Sequence, residues 1–325
     1  EAAWTGNGLI GSYLWYDTAR NMIRLQIFRS DVQEHRPFSQ GHSGVTRSRL
    51  QIGSFYLQTK GIVTGGQWRE VLWDAEVQGV IHTTKGEVRM LHFTHATDMA
   101  IVMQLEPSEE EQGCHWIWEP AKAATTRLRY AETKAQIPRR AKQFHSKWIS
   151  EVYDPDANPE PIISKEGDAH TSFQALRFGG DHAVSWHEIS GDVKQILLVN
   201  VSKRWPHETG SSASTALATL NQALERTMTD FRGWLDAHRA WWHRYYPLSF
   251  VSLPDTRLET VYWVNMYKLA CATRASYPIM DTAGLWQVPS KWPFITWNLN
   301  VQLCYWPTVT SNRITPVGLS LPNRR

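Results

Sequence analysis

The sequence predicts an all-β region followed by an α-helical one, and three observations carry that reading. From Leu9 to about Val201 the chain runs in short β-type stretches separated by Gly, Asp and Pro, with no helical period sustained over three turns. At Ser211 the pattern changes to a long stretch, Ala216 to Tyr246, that contains no Pro and only one Gly, Gly233. So many strands over so long a span fit a large antiparallel β-sandwich, because two stacked sheets bury far more apolar surface than one open sheet.

The clearest strands lie between Ala75 and Glu106. Val77, Gly79 and Ile81 alternate with Glu76, Gln78 and Val80, and Thr84-Lys85-Gly86-Glu87 supplies a turn. Val88 to Phe93 follows, then Met99 to Leu105 after Ala96-Thr97-Asp98, so three consecutive antiparallel strands are expected. Further strands are expected over Leu9 to Tyr16, Met22 to Phe28, Leu50 to Leu57, Trp148 to Tyr153, Phe173 to Phe178, Ala183 to Ile189 and Gln195 to Val201. Glu109 to Gly113 and Asp154 to Pro161 read as exposed loops.

The run Ser211 to Thr215 offers N-caps for a long helix that Pro247 ends. Leu253-Pro254-Asp255 opens another, with Asp255 as N-cap and Leu258, Val261, Tyr262, Val264, Asn265 and Leu269 at helical spacing. The chain therefore divides into a β-sandwich domain over 1–205, a helical linker over 206–247, and a helical region over 248–325 that is too short for a large helical domain.

Composition narrows the partners. The formal net charge of +3 comes from 34 basic and 31 acidic residues scattered along the chain, without the dense basic run that a phosphate backbone favours, so nucleic acid is not an expected partner. The 17 Trp are far above the usual share, and indole faces stack on the apolar C–H faces of sugar rings, although cross-strand aromatic pairs in a sandwich core use the same residue. Cys114, Cys271 and Cys304 are too few and too scattered for a disulfide framework or a zinc site, and no cofactor or metal is expected. No apolar window is long enough to span a membrane, and Glu1-Ala2-Ala3-Trp4 is no signal peptide. The expectation is a secreted or periplasmic protein whose leader has been removed.

Three segments carry a resemblance. Gly284-Leu285-Trp286-Gln287, then Trp297-Asn298-Leu299-Asn300-Val301-Gln302-Leu303-Cys304-Tyr305-Trp306-Pro307, resembles the glycoside hydrolase family 95 pattern of a Gly-Leu/Ile-Trp turn followed by Asn-x-Asn-x-Gln-x-x-Tyr-Trp-Pro. Gly6-Asn7-Gly8-Leu9-Ile10-Gly11 resembles the Gly-Asn-Gly-x-x-Gly opening of that family's N-terminal sandwich, and Arg257 to Arg274 its first barrel helix. A phosphate-binding reading of Gly6-Asn7-Gly8 fits less well, because a strand follows it rather than a helix. The resemblance is dense at the two ends; Ser290 to Thr296 departs from the family's usual loop and points to a divergent subfamily.

What the resemblance implies is a β-sandwich, a helical linker and the truncated start of an (α/α)6 catalytic barrel, in an inverting hydrolase of terminal α-linked L-fucose or a related sugar such as L-galactose. In that family two Asn amides, polarised by an Asp, hold the attacking water while a Glu protonates the leaving oxygen. The matching amides are Asn298 and Asn300. In an extended segment residues two apart face the same way, so both could accept from one water. The matching Glu and Asp would lie beyond Arg325. Trp286, Trp292 and Trp297 would form a sugar platform with Gln302 as a hydroxyl partner, or else pack the barrel core. Glu259 and Asp281 read as structural, as do His92, His95 and the histidine of Trp241-Trp242-His243. The expected partner is an oligosaccharide or polysaccharide. A carbohydrate phosphorylase of the same architecture is one alternative, and a non-catalytic carbohydrate-binding protein is the other, should 325 residues be the whole molecule.

Overall fold

Two antiparallel sheets form a sandwich in the computed structural model, which describes residues 2–35, 49–123, 158–191, 193–205, 209–280, 282, 284–286 and 298–317. One sheet has five strands in the order β1 (Ala3–Gly6), β2 (Ile10–Asp17), β3 (Met22–Arg29), β4 (Gly53–Gln58) and β9 (His115–Pro120). The other has eight, in the order β10 (Ile162–Glu166), β11 (Ala169–Ala175), β12 (Asp181–Ser190), β13 (Gln195–Arg204), β8 (Ile101–Pro107), β7 (Glu87–Thr94), β6 (Glu76–Thr83) and β5 (Val63–Val71). Among the described residues four helices follow: α1 (Ser212–Tyr245), α2 (Thr256–Ala272), α3 (Leu299–Thr310) and the single turn α4 (Ile314–Val317).

Strand alternation builds the core. Ile10 and Leu14, Ile23, Leu25 and Ile27, and Phe55 and Leu57 point inward from the five-stranded sheet onto Val88, Met90, Ile101, Met103, Leu105, Leu197 and Val199 of the other. The opposite face of the larger sheet, with Phe93, Val102 and Leu198, lies under Leu220, Ala223, Trp234 and Leu235 of α1. The central strands are thus buried on both faces.

The three strands expected between Ala75 and Glu106 are β6, β7 and β8, with Val77 paired to His92 and His92 to Met103. β5 was not legible, because Gly65 and Gly66 read as punctuation and an exposed edge strand shows no alternation. β10, exposed throughout, and the short β1 hid for the same lack of pattern, and β9 was also missed. β11 starts at Ala169, ahead of the expected Phe173. The expected strand Trp148 to Tyr153 lies outside the described residues. Glu109 to Gly113 is not simply an exposed loop: Glu109–Glu111 form a 3-10 turn, and the buried Glu111 accepts from Lys60 N at 2.8 Å, Gly61 N at 2.7 Å and Thr83 Oγ1 at 2.5 Å. Three donors converging on one carboxylate outweigh its desolvation.

α1 starts as the sequence suggests, with Ser211 accepting from Ala213 N at 3.2 Å. Its long amphipathic stripe lies across β11, β12 and β13, and it bends at Asp230, whose carboxylate caps the second half by accepting from Gly233 N at 2.9 Å. At its far end the buried Arg313 donates to Tyr246 O at 2.9 Å and Tyr245 O at 3.3 Å, placing a cation against the negative end of the helix dipole. α2 is capped by Asp255, which accepts from Arg257 N at 2.9 Å. Of its expected apolar stripe only Leu269 is buried, while Leu258 and Val261 face solvent. No helix among the described residues is long and apolar enough to cross a membrane.

Candidate functional site

The end of α2 docks on the sandwich at Gly6-Asn7-Gly8. Gly8 N donates to Cys271 O at 2.7 Å, and a Cβ on Gly8 would stand 2.9 Å from the backbone of Thr273 and Arg274. Gly8 also needs its positive φ of 93°. The buried Asn7 ties the turn down: Nδ2 donates to His95 O at 3.1 Å and Asp98 O at 3.0 Å, and Oδ1 accepts from Ile10 N at 3.1 Å. The motif therefore joins strand to helix and leaves no room for an anion.

That junction opens into a cleft of about 430 Å³. Trp4, Tyr13 and Trp286 wall one side, Asn265, Lys268, Leu269 and Ala272 of α2 another, and Met280, Thr282, Gly284, Cys304 and Pro307 complete it. The Trp286 ring lies parallel to Tyr13, 7° apart with centroids at 6.0 Å, and 6.0 Å from Trp4. Its Nε1 donates to Thr5 O at 2.9 Å, which fixes the ring plane. α3 is held against this site by Tyr305, whose hydroxyl accepts from Met280 N at 2.9 Å and bonds Thr273 Oγ1 at 2.8 Å.

The charges of the cleft are few. Lys268 Nζ stands 4.6 Å over the Trp4 ring. Behind Trp4, Glu70 accepts from Trp4 N at 2.6 Å, and burial raises its carboxyl to about 7 against the lowering pull of that bond and of Lys268. Burial also raises the Tyr13 hydroxyl, with Glu70 adding to it.

Of the residues singled out in the sequence, Trp286 lies in the cleft. Trp292 and Trp297 lie outside the described residues, as does Asp281. Asn298, Asn300 and Gln302 do not lie on an extended segment: α3 begins at Leu299, with Asn298 at its N-cap position and no side-chain cap bond. Asn298 precedes the first turn of α3 and Asn300 lies within it, so the two-residue alternation of an extended segment does not set how their amides face each other. The physical reason is tertiary, since the Tyr305 bonds and burial of Val301 and Tyr305 reward a helix there. Asn300 is one turn before Cys304, on the face that lines the cleft, and Gln302 is exposed elsewhere on the helix. Glu259 accepts from Leu253 N at 2.9 Å at the start of α2. Sequence reading missed Trp4, Tyr13, Asn265, Lys268 and Glu70; the one local signal was Asn265, Lys268, Leu269 and Ala272 recurring at helical spacing.

His92 and His95 are bonded through both ring nitrogens. His92 Nδ1 donates to Val102 O at 2.7 Å and Nε2 accepts from Ser12 Oγ at 2.7 Å, while burial lowers its pKa to about 4. His95 stacks on Trp234 and donates Nε2–H to its carbonyl at 3.2 Å, with Nδ1 accepting from Asp98 N at 3.0 Å. His243 bonds Asp74 at 2.8 Å under Trp73. Among the described residues no group of three or more His, Cys, Asp or Glu is placed to hold a metal ion.

No protein-family model matches the chain, and no curated protein matches it. Among solved structures it resembles a human-microbiome protein assigned as a kojibiose phosphorylase, with a TM-score of 0.54 and 9% identity over 87% of this chain. A bacterial glucoamylase complexed with acarbose gives a TM-score of 0.40 and 11% identity over 85% of the chain. The chain spans 38% of the first and 41% of the second. The first likeness shows the fold, a sandwich of antiparallel sheets followed by helices.

Proposed function

We propose that this chain belongs to a carbohydrate-active enzyme, an inverting glycoside hydrolase acting on a terminal α-linked sugar of the L-fucose or L-galactose kind. The observation that carries the reading is the cleft itself, where Trp4, Tyr13 and Trp286 present aromatic faces beside amide, hydroxyl and ammonium groups. The family 95 resemblance of 284–287 and 297–307 supports it, and so does the fold. Leu258 and Val261 on α2 and Leu299, Leu303, Trp306 and Val309 on α3 are apolar and exposed, the kind of surface that further helices of a barrel would cover.

In this reading Asn298 and Asn300, both at the N-terminal end of α3, hold the attacking water, and the acid Glu and supporting Asp come from residues that the chain does not contain. An amide is not basic enough to activate water alone, so a carboxylate partner is required. The test is hydrolysis of aryl α-L-fucosides and α-L-galactosides by the protein at its native length, with the anomer of the first product followed by NMR. Release of the inverted anomer is expected; a retained anomer or no release overturns the reading.

A phosphorylase is the second reading, favoured by the likeness to a protein assigned as a kojibiose phosphorylase. Turnover that requires inorganic phosphate and yields a sugar phosphate would establish it instead.

A further inference from the structure

We infer that the cleft between Trp4, Lys268 and Trp286 is a subsite for a sugar unit carrying one negative charge, as a uronate carboxylate or a sulfate ester. The inference rests on reading the cleft as a carbohydrate site, and concerns a unit of the substrate other than the neutral terminal sugar that is cleaved.

Among the described residues Lys268 is the one charged group that lines the cleft; the other described walls are aromatic, aliphatic, amide, thiol and hydroxyl. Its ammonium sits over the Trp4 ring and forms no salt bridge among the described residues, so its N–H donors are left for a ligand. In a partly dry cleft such a cation attracts an anion more strongly than it would in bulk water. The carboxylate it acts on, Glu70, faces away to Trp4 N. With its pKa at about 7, Glu70 is largely uncharged in mildly acidic solution and then leaves the Lys268 charge uncompensated.

The remaining walls fit a sugar ring rather than a free anion. Trp286 and Trp4 offer apolar faces, and Trp286 is locked through Thr5. Asn265 spends its Nδ2–H on Val261 O at 2.7 Å, which leaves Oδ1 to accept from a ring hydroxyl. The Tyr13 hydroxyl makes no hydrogen bond among the described residues, and Thr282 adds a second hydroxyl at the rim. A single ammonium matches a single negative charge, whereas a phosphate monoester near −2 would keep much of its charge uncompensated.

The experiment is a titration followed by tryptophan fluorescence, using the protein at native length at pH 6 and low salt. The probes are methyl glucuronide, a sulfated methyl glucoside and neutral methyl glucoside, with acetate and inorganic sulfate as ring-free anions. At least one charged glycoside is expected to bind about tenfold tighter than the neutral one, the worth of one charge-assisted hydrogen bond. That margin shrinks at about 0.5 M salt. It falls to about twofold in Lys268→Met and returns in Lys268→Arg. Should Lys268→Met fail to fold, the salt dependence and Lys268→Arg carry the test. Equal binding of charged and neutral glycosides overturns the inference and leaves the carbohydrate reading standing. Binding of no glycoside overturns both. Acetate or sulfate binding as tightly as the glycosides also overturns it, since the ring would then not be read.

Discussion

The indole Nε1 of Trp286 donates to the carbonyl of Thr5 across 2.9 Å, so the loop ahead of α3 is tied directly to the first strand of the sandwich. The bond orients the cleft's central ring and couples its shape to strand β1. Trp286→Phe keeps a ring but removes the donor. It should cost about 1 kcal/mol in urea denaturation and weaken glycoside binding severalfold. Trp286→Ala removes the wall as well and should abolish the fluorescence response to sugar.

Glu70 gives the molecule a pH dependence of known sign. Its folded pKa of about 7 lies above the ordinary carboxylate value because burial outweighs its bond to Trp4 N and the charge of Lys268. The folded state therefore holds the proton that the unfolded chain releases. The contribution is full below about 4.5 and is lost as pH rises through about 7, at no more than about 1.4 kcal/mol per pH unit. Glu70→Gln should remove this part of the slope and melt above the parent at pH 8, as differential scanning calorimetry would show.

Buried histidines act in the opposite direction. Burial lowers His92 and His182 to about 4 and His238 to about 3, below the ordinary 6.5. Their contribution is full above 6.5 and is lost as pH falls through the folded values, at about 1.4 kcal/mol per unit for each histidine. Urea midpoints should fall steeply between pH 6.5 and 4, while the imidazole resonances of His92 and His238 stay at their neutral positions to pH 5. Resonances that titrate near 6.5 in the folded protein would contradict the buried geometry.

The junction at Asn7 and Gly8 should tolerate almost nothing. Asn7→Ala strands two carbonyls, His95 O and Asp98 O, and the N–H groups of Leu9 and Ile10, at a cost of roughly 3 kcal/mol. Gly8→Ala forces a Cβ against backbone at 2.9 Å and a positive φ together, and should lose more. Limited proteolysis should then cut between the sandwich and α2 before it cuts within the sheets.

One further pair tests the seating of α1. Glu76 is buried and accepts from Arg239 through Nε at 2.6 Å and Nη2 at 3.1 Å. Arg239→Met leaves an unpaired buried carboxylate and should cost about 3 kcal/mol in urea denaturation. The double variant Arg239→Met/Glu76→Met should regain most of it, and failure to do so would mean that the pair matters through packing instead.

Much of the β-meander was legible because its pattern is local. Val77 and Ile81, Val88 and Met90, and Met103 and Leu105 alternate on strands separated by ordinary turn residues, and Ser211 and Asp255 are helix caps written in the chain. Val63 to Val71 was illegible for a physical reason, since an exposed edge strand buries one face too weakly to impose a period. Glu111 was misread because its three donors come from the β4–β5 turn and from β6, far away in sequence.

The sequence by itself determined the order of the parts, sandwich then helices, since alternation and capping act over a few residues. It also determined the special chemistry of Gly6-Asn7-Gly8, though not what the motif touches. Only the tertiary structure decided which sheet β9 joins, that Asn298 and Asn300 start a helix instead of an extended pair, and that Trp4, Tyr13, Lys268 and Trp286 share one cleft. Those relationships depend on packing between segments up to 282 positions apart, and no local pattern encodes a contact whose partner lies elsewhere in the chain.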